Sequence, residues 1–544
     1  MGPPKRSSQR ASSSTLPVLC ALLLLLLPWQ HVAAQLPHDI PTIPIGFMLP
    51  DPDHSSAIPS SLAKEWMSAA QVAVDVLAPD YIDFTIEPII VETDCNADSA
   101  RVAAKSLVER GVVGVVGPAC SEAVVGADEV FRRQGIPFVS FAATADVFRQ
   151  GVQFYSFFRT VFGDRHQSAA IRNVVQHFGW KKLYVFYSDD TYGRALGYDV
   201  SVEQDAGVAT HLIRVPYPPP ADCSALFAAP DGNGGLLQGG EDTAVVMAVL
   251  PAVAECLWKA ADKLGLRETG GDGKAGRMTG RQNLLQYPWW YVGTDGVVAL
   301  DFSDAAPSSP EGALAAKLRG ELGVAPFVGD FAEDNTFQRF LDYWSAQSFD
   351  KFPGLITMPV TPRLRYPRAY VPYLIDTVWA FYEGINHIIV NQRKNVTAGS
   401  LRRCFNNEPA GCVAFYGVTG QMAFNGSTGE RAKDRVRPAY SVQQLANATW
   451  HEVADWSLAR GGDRLQFSAE SVPQPGQAPS GLSGGAIALI VLAVLAVLGG
   501  VAAYVGRMMW DKRRHIHHMG SSFNAQPLAM ADEMQMERGK VRLI

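Results

Sequence analysis

Charge is scarce in this 544-residue sequence, at 18% of residues, and two stretches lack it in ways that set topology. No acidic residue precedes Gln35, and no charge of either sign lies between Glu470 and Arg507. Catalytic and metal-binding patterns are missing as well. No Ser-His-Asp arrangement, metal-ligand cluster or strand leading into a Gly-rich nucleotide loop stands out, so an enzyme, a metal and a cofactor are not expected. Gly270-Gly271-Asp272-Gly273-Lys274-Ala275 superficially resembles a phosphate loop. Ala275 stands where the Mg²⁺-binding hydroxyl belongs and no strand immediately precedes, so the segment reads as a loop. What is plentiful excludes disorder: 47% hydrophobic and 10% aromatic residues supply material for packed cores.

The first uncharged stretch follows Lys5, Arg6 and Arg10. An apolar run over 18–27 and the small residues Val32-Ala33-Ala34 complete a signal peptide over 1–34. The second contains 22 consecutive uncharged residues, 485–506. At ~1.5 Å per residue such a helix reaches ~33 Å, enough to span the hydrocarbon core of a bilayer. Arg507, Lys512, Arg513 and Arg514 follow at once, which places the C-terminus in the cytoplasm. The expected topology is a single-pass, type I plasma-membrane protein with its N-terminus outside. Residues 468–484, rich in Pro, Gly and Ser, form a flexible stalk. Residues 507–544 are a short cytoplasmic tail, whose His515, His517 and His518 read as part of a solvated basic patch.

The signal segment and the tail each carry +3, so the chain total of −6 leaves about −12 on the extracellular part. A surface that acidic disfavours nucleic acid as a partner. With Cys20 in the signal peptide, six cysteines face an oxidising compartment: Cys95, Cys120, Cys223, Cys256, Cys404 and Cys412. Spacing alone leaves their pairing open. Asn395, Asn425 and Asn447 each begin a glycosylation acceptor triplet.

Over about 40–456, β-branched runs alternate with helical periodicity. Strands are expected at 42–48, 84–92, 112–117, 137–141, 183–187, 208–215, 243–249 and 289–293, with amphipathic helices at 62–77, 99–110, 122–133, 166–178 and 253–264. Repeated strand–helix–strand units imply parallel sheets covered by helices on both faces. Some 420 residues of this pattern exceed one comfortable core, so the expected fold class is α/β with two Rossmann-like lobes. Glycine-rich segments at 230–241 and 269–281 read as surface insertions.

In open parallel sheets, ligands sit beyond the carboxyl ends of strands. Two turns there have distinctive chemistry. Val115-Val116-Gly117-Pro118-Ala119-Cys120-Ser121 ends a strand and opens a helix, offering free N–H groups and a hydroxyl to a carboxylate. Ser121 could equally be an ordinary helix cap. Phe141-Ala142-Ala143-Thr144-Ala145-Asp146 follows the next strand, and Thr144 admits the same two readings.

These turns, with 112–124, 135–148 and 154–197 around them, resemble the ligand-binding region of the type I periplasmic-binding-protein superfamily. That superfamily includes the leucine/isoleucine/valine-binding protein, natriuretic peptide receptors and class C receptors. Segments 291–298 and 417–431 resemble two later signatures. The resemblance implies a two-lobed extracellular region over 35–467 with three crossings. Lobe 1 is expected at about 40–157 and 305–410, and lobe 2 at about 162–295 and 414–456. By position, Ser121, Ala142 and Thr144 would hold an amino acid's carboxylate and amino group, while Asp164, Tyr192 and Asp295 would contact its ammonium. A helix cap or an interlobe hydrogen bond is the plainer role for Asp164 and Asp295. Leu300 stands where some relatives place a base for a side-chain carboxylate, which argues against a dicarboxylic ligand. The resemblance also implies a Cys95–Cys120 disulfide. Cys404–Cys412 would then close a local loop and leave Cys223–Cys256.

The expected function is a receptor that closes on a small ligand, amino-acid-like in preference to a peptide, and signals as a homodimer or through a co-receptor. Alternatives are a clearance receptor, a ligand-free co-receptor subunit, or a fragment of a larger class C or cyclase-type receptor.

Overall fold

A computed structural model describes residues 40–55, 57–149, 153–228, 237, 242–264, 290–300, 302, 308–318, 320–327, 342–344, 346, 370–430, 440–446, 449–456 and 465–467, all within one compact unit. The expected signal peptide, stalk, membrane span and tail lie outside the described residues, as do Asn447, segment 269–281 and nearly all of 230–241. Among the described residues no helix is long and apolar enough to cross a membrane.

The chain begins with β1 (Thr42–Pro50), α1 (Ser60–Leu77), β2 (Thr85–Thr93), α2 (Ala97–Glu109), β3 (Gly114–Val116), α3 (Ser121–Gln134), β4 (Phe138–Ser140) and β5 (Phe157–Arg159). It continues through α4 (Asp164–Phe178), β6 (Lys182–Ser188), α5 (Thr191–Glu203), β7 (Ala209–Val215), β8 (Thr243–Ala248), α6 (Pro251–Lys263), β9 (Trp290–Gly293), α7 (Asp295–Val298), α8 (Pro310–Lys317) and β10 (Leu322–Pro326). Then come α9 (Val371–Asn386), α10 (Ala398–Phe405), β11 (Ala414–Gly417), β12 (Gly420–Ala423), β13 (Tyr440–Ala446), β14 (Thr449–Trp456) and β15 (Leu465–Phe467).

The strands form two principal sheets, and the sheets define two lobes. In the first the order is β2-β1-β3-β4-β5, parallel throughout. In the second it is β15-β14-β13-β10-β9-β8-β6-β7, parallel from β10 to β7, with β13, β14 and β15 added antiparallel. Helices on both faces bury the strands, which is why β8 reads as an unbroken apolar run and all six of its residues are buried. On α1 the helical spacing holds: Trp66, Ala69, Ala73 and Leu77 are all buried.

Two lobe boundaries differ from those read in the sequence. β10 belongs to the second sheet, so lobe 2 runs past 305 and the chain returns to lobe 1 only with α9. The β11–β12 hairpin does not open lobe 2 at 414. It is held to α9 by Asp376, which accepts from the N–H groups of Val418 (2.6 Å) and Thr419 (2.9 Å). Both shifts come from non-local pairing: β10 is fixed by β9 and by β13, more than a hundred residues downstream, which no local pattern reveals.

Close backbone approach explains two glycines. Gly117 has φ +95°, and a Cβ there would sit 2.3 Å from the Met48 carbonyl oxygen. A Cβ on Gly126 of α3 would sit 1.9 Å from the Ala97 carbonyl oxygen at the start of α2. The disulfides pair Cys95 with Cys120, Cys223 with Cys256 and Cys404 with Cys412. The first fastens the approach to α2 onto the approach to α3.

Gly126→Ala should therefore force α2 and α3 apart and cost about 1–3 kcal/mol, the usual range for overpacking. Denaturant unfolding of the purified chain checks this. An unchanged midpoint would mean that the two helices do not meet so closely.

Candidate functional site

The site is built where β3, β4 and β9 end and the chain turns into the next element. Ser140, a lone hydroxyl at the end of apolar β4, joins the two turns of lobe 1. Its Oγ donates to the Pro118 carbonyl (2.6 Å) and accepts from the N–H groups of Ala143 (2.9 Å) and Ala142 (3.3 Å). Ser121 adds a second link, accepting from the Ala145 N–H at 3.3 Å. Cys120 is the residue that precedes α3, and no side chain caps that helix. Ser121 is thus a bridge between the turns rather than a cap, and among the described residues no side chain caps the first-turn N–H groups of α3.

Behind the second turn sits Arg159, 1% exposed. Its guanidinium donates to the carbonyls of Thr144 (2.7 Å), Ala145 (3.0 Å) and Ala143 (3.4 Å), and to Glu430 Oε1 (2.9 Å). Glu430 also accepts from Arg149 of lobe 1 (3.2 Å) and Arg165 of lobe 2 (3.1 Å). One carboxylate, on the third passage between the lobes, thereby ties both lobes to the first passage.

Lobe 2 contributes an acidic floor. Asp295 opens α7, and its burial pushes the carboxyl above the usual carboxylate range, opposed by donors that include Tyr192 and Tyr370. Three contacts in series lead away from it. Asp295 Oδ1 lies 2.5 Å from the Tyr192 hydroxyl oxygen, which lies 2.6 Å from Thr294 Oγ1, which lies 2.9 Å from the Met247 carbonyl oxygen. The Tyr192 hydroxyl donates to Asp295 and the Thr294 hydroxyl to the Met247 carbonyl. The other oxygen of Asp295 accepts from the Tyr370 hydroxyl, across from lobe 1.

Asp164 is fully buried, and neither carboxyl oxygen forms a hydrogen bond of normal geometry. Burial pushes its carboxyl well above the carboxylate range and the Asp295 charge adds to this, while the Thr144 hydroxyl and Arg159 oppose. Thr144 acts on it by proximity, since its Oγ1 also lacks a hydrogen bond of normal geometry. Burial and nearby carboxylates push the phenols of Tyr192 and Tyr370 well up, which keeps both protonated.

A cavity of about 50 Å³ lies between these elements, lined by Ser121, Ala142, Tyr192 and Asp295 together with Trp66, Tyr370, Ile58, Ala119, Cys120, Leu250, Pro251, Gly296 and Ala299. Four of the six expected site residues thus meet in one place. Thr144 and Asp164 do not line the cavity but stand behind it. The interlobe hydrogen bond is realised for Asp295, through Tyr370. Sequence reading missed Tyr370, Trp66 and Ser140. Only Ser140 carried a signal, as the one polar residue in an apolar strand. The volume is far below the ~300–1,000 Å³ of ordinary ligand pockets. The lobes touch directly, since Glu122 of α3 accepts from the Thr191 N–H at 2.9 Å and from the Thr191 hydroxyl.

Asp164 carries a consequence for stability. Its carboxyl rises on folding from ~3.9, so its contribution is complete below about pH 4 and is lost as pH climbs through the raised value. Asp164→Asn should therefore gain on the parent protein near pH 8 by roughly 1–3 kcal/mol and gain little near pH 4. Denaturant titrations at the two pH values check this. Equal loss of stability at both would contradict a neutral, partnerless acid.

Residues 65–212 match the family described as the receptor family ligand binding region. Glutamate receptor 3.7 of Arabidopsis thaliana is 32% identical over 133 residues, covering 23% of this chain and 14% of that protein. Taste receptor type 1 member 3 of Rattus norvegicus is 32% identical over 126 residues, covering 22% of this chain and 15% of that protein. The aligned segment is thus a small part of each receptor. Among solved structures, the branched-chain amino acid transporter substrate binding protein LivJ of Streptococcus pneumoniae, in complex with isoleucine, superposes with a TM-score of 0.54 at 18% identity. It covers 75% of this chain and 98% of its own, a likeness of fold. Residues 65–212 thus resemble a receptor-family ligand-binding region, and the chain as a whole has a two-lobed α/β fold like that of the periplasmic binding protein.

Proposed function

We propose that this protein is a single-pass cell-surface receptor whose extracellular lobes open, admit a small amino-acid-like ligand and close on it, without chemical turnover. One observation carries the reading: uncapped N–H groups at the start of α3 face, across one cavity, a buried acid with no cationic partner among its hydrogen bonds. The first suits a carboxylate and the second an ammonium. The remaining walls, Ile58, Trp66, Ala119, Leu250, Pro251 and Ala299, are apolar and include no base, which favours a neutral side chain over an acidic one. Isoleucine is the ligand in the LivJ complex. An outside location suits the disulfides and the exposure of the acceptor residues Asn395 and Asn425.

A second reading has its own support. The cavity is already shut on Tyr370, as it would be in a co-receptor subunit that binds nothing.

Calorimetry of the purified full chain against neutral and acidic amino acids separates the two. A neutral amino acid should bind, and Asp295→Asn should weaken it by about 30-fold or more, equivalent to ~2 kcal/mol for one partner of a buried pair. Because Asp295 must lose its proton to hold an ammonium, heats in buffers of different ionisation enthalpy should report proton release, and affinity should rise with pH. Absence of binding by every amino acid would favour the co-receptor reading.

A further inference from the structure

Tyr370 is the one cleft residue whose position nothing in the ligand reading requires. It follows the second passage between the lobes and directly precedes α9, with φ +71°, a left-handed conformation uncommon outside glycine. Nothing in its own helix calls for this, because its side chain does not cap α9. The conformation directs the ring into the cleft instead. There the ring lies edge-on to Trp66, with centroids 6.3 Å apart at 79°, and Trp66 lies edge-on to Phe141, 5.2 Å apart at 82°. Both Trp66 and Tyr370 line the small cavity, and Tyr370 is 5% exposed. Its hydroxyl donates to Asp295 Oδ2, while the other oxygen of that carboxyl turns toward Tyr192 of its own lobe.

We propose that Tyr370 is a built-in stand-in for the ligand: its ring takes space in the cleft and its hydroxyl takes the Asp295 acceptor, so that it latches the lobes and decides which ligands enter. A neutral hydroxyl holds the Asp295 acceptor. A ligand ammonium offers the same acceptor a charged donor, and the phenol must swing away to free the volume an amino acid needs. Selection then falls on two properties, a cation strong enough to displace the hydroxyl and a side chain that fits beside the displaced ring. The ligand half of this inference rests on the reading of Asp295 as an ammonium site. The latch half does not.

Tyr370→Phe keeps the ring and removes only the hydroxyl, so the fold should survive. Tyr382→Phe is the control: that hydroxyl donates to the Val74 carbonyl within lobe 1, away from the cavity. Hydrogen exchange of the ligand-free full chain, read at 121–124 and 295–300, should quicken about fivefold in Tyr370→Phe, the weight of one ordinary hydrogen bond, and not in the control. Neutral amino acids should bind Tyr370→Phe about fivefold more tightly than the parent. Parent-like exchange in both segments overturns the latch, whatever the ligands do. Faster exchange with no amino acid bound by any variant upholds the latch and defeats the ligand reading alone. Weaker amino-acid binding by Tyr370→Phe overturns the stand-in and makes Tyr370 a direct ligand contact.

Discussion

A buried carboxyl cannot stay ionised without a partner, and of the several carboxyls buried here two, Asp164 and Asp295, lie close enough for the charge of one to act on the other. Much of the local architecture answers that constraint. Asp295 sits at the start of a short helix and accepts from two phenols. Asp164, one layer deeper, finds no hydrogen bond of normal geometry. On the proposed reading a cation arriving from outside favours the ionised form of Asp295, which couples binding to the electrostatics of the lobe.

The opposite lobe answers a different demand. Its two turns must present N–H groups outward while their own carbonyls remain satisfied. Arg159 meets this by collecting three successive carbonyls from the second turn, and Ser140 and Ser121 stitch that turn to the first. The guanidinium is neutralised by Glu430, which Arg149 and Arg165 approach from either lobe. Removing one partner of such a buried pair is costly, about 3–5 kcal/mol, because the other charge is left behind. The turns are therefore tightly held features of lobe 1, while Glu122 with Thr191 and Tyr370 with Asp295 join the lobes across the cleft.

How much of this was legible in the sequence depends on range. The strands and helices were readable because each signals its own periodicity, and 243–249 could hardly be anything but a covered strand. The two turns were readable because glycine, proline and hydroxyl residues mark them locally. Ser121, Ala142, Tyr192 and Asp295 were placed through a resemblance and do converge on one cavity. The lobe boundaries at 305 and 414 were misplaced because β10 and the β11–β12 hairpin are assigned by distant partners. Tyr370 was invisible for a related reason: its role comes from a left-handed backbone and an acceptor 75 positions away, neither of which leaves a trace in neighbouring residues.

The central claim is that burial in the cleft favours the protonated form of Asp295 until a cation arrives. Infrared difference spectroscopy on the full chain with isotope-labelled aspartate reads this directly. The ligand-free protein should show a protonated-carboxyl band that shifts with the label, is lost in part in Asp295→Asn, and gives way to a carboxylate band when a neutral amino acid binds. A ligand-free protein with no protonated-aspartate band at neutral pH would contradict the claim.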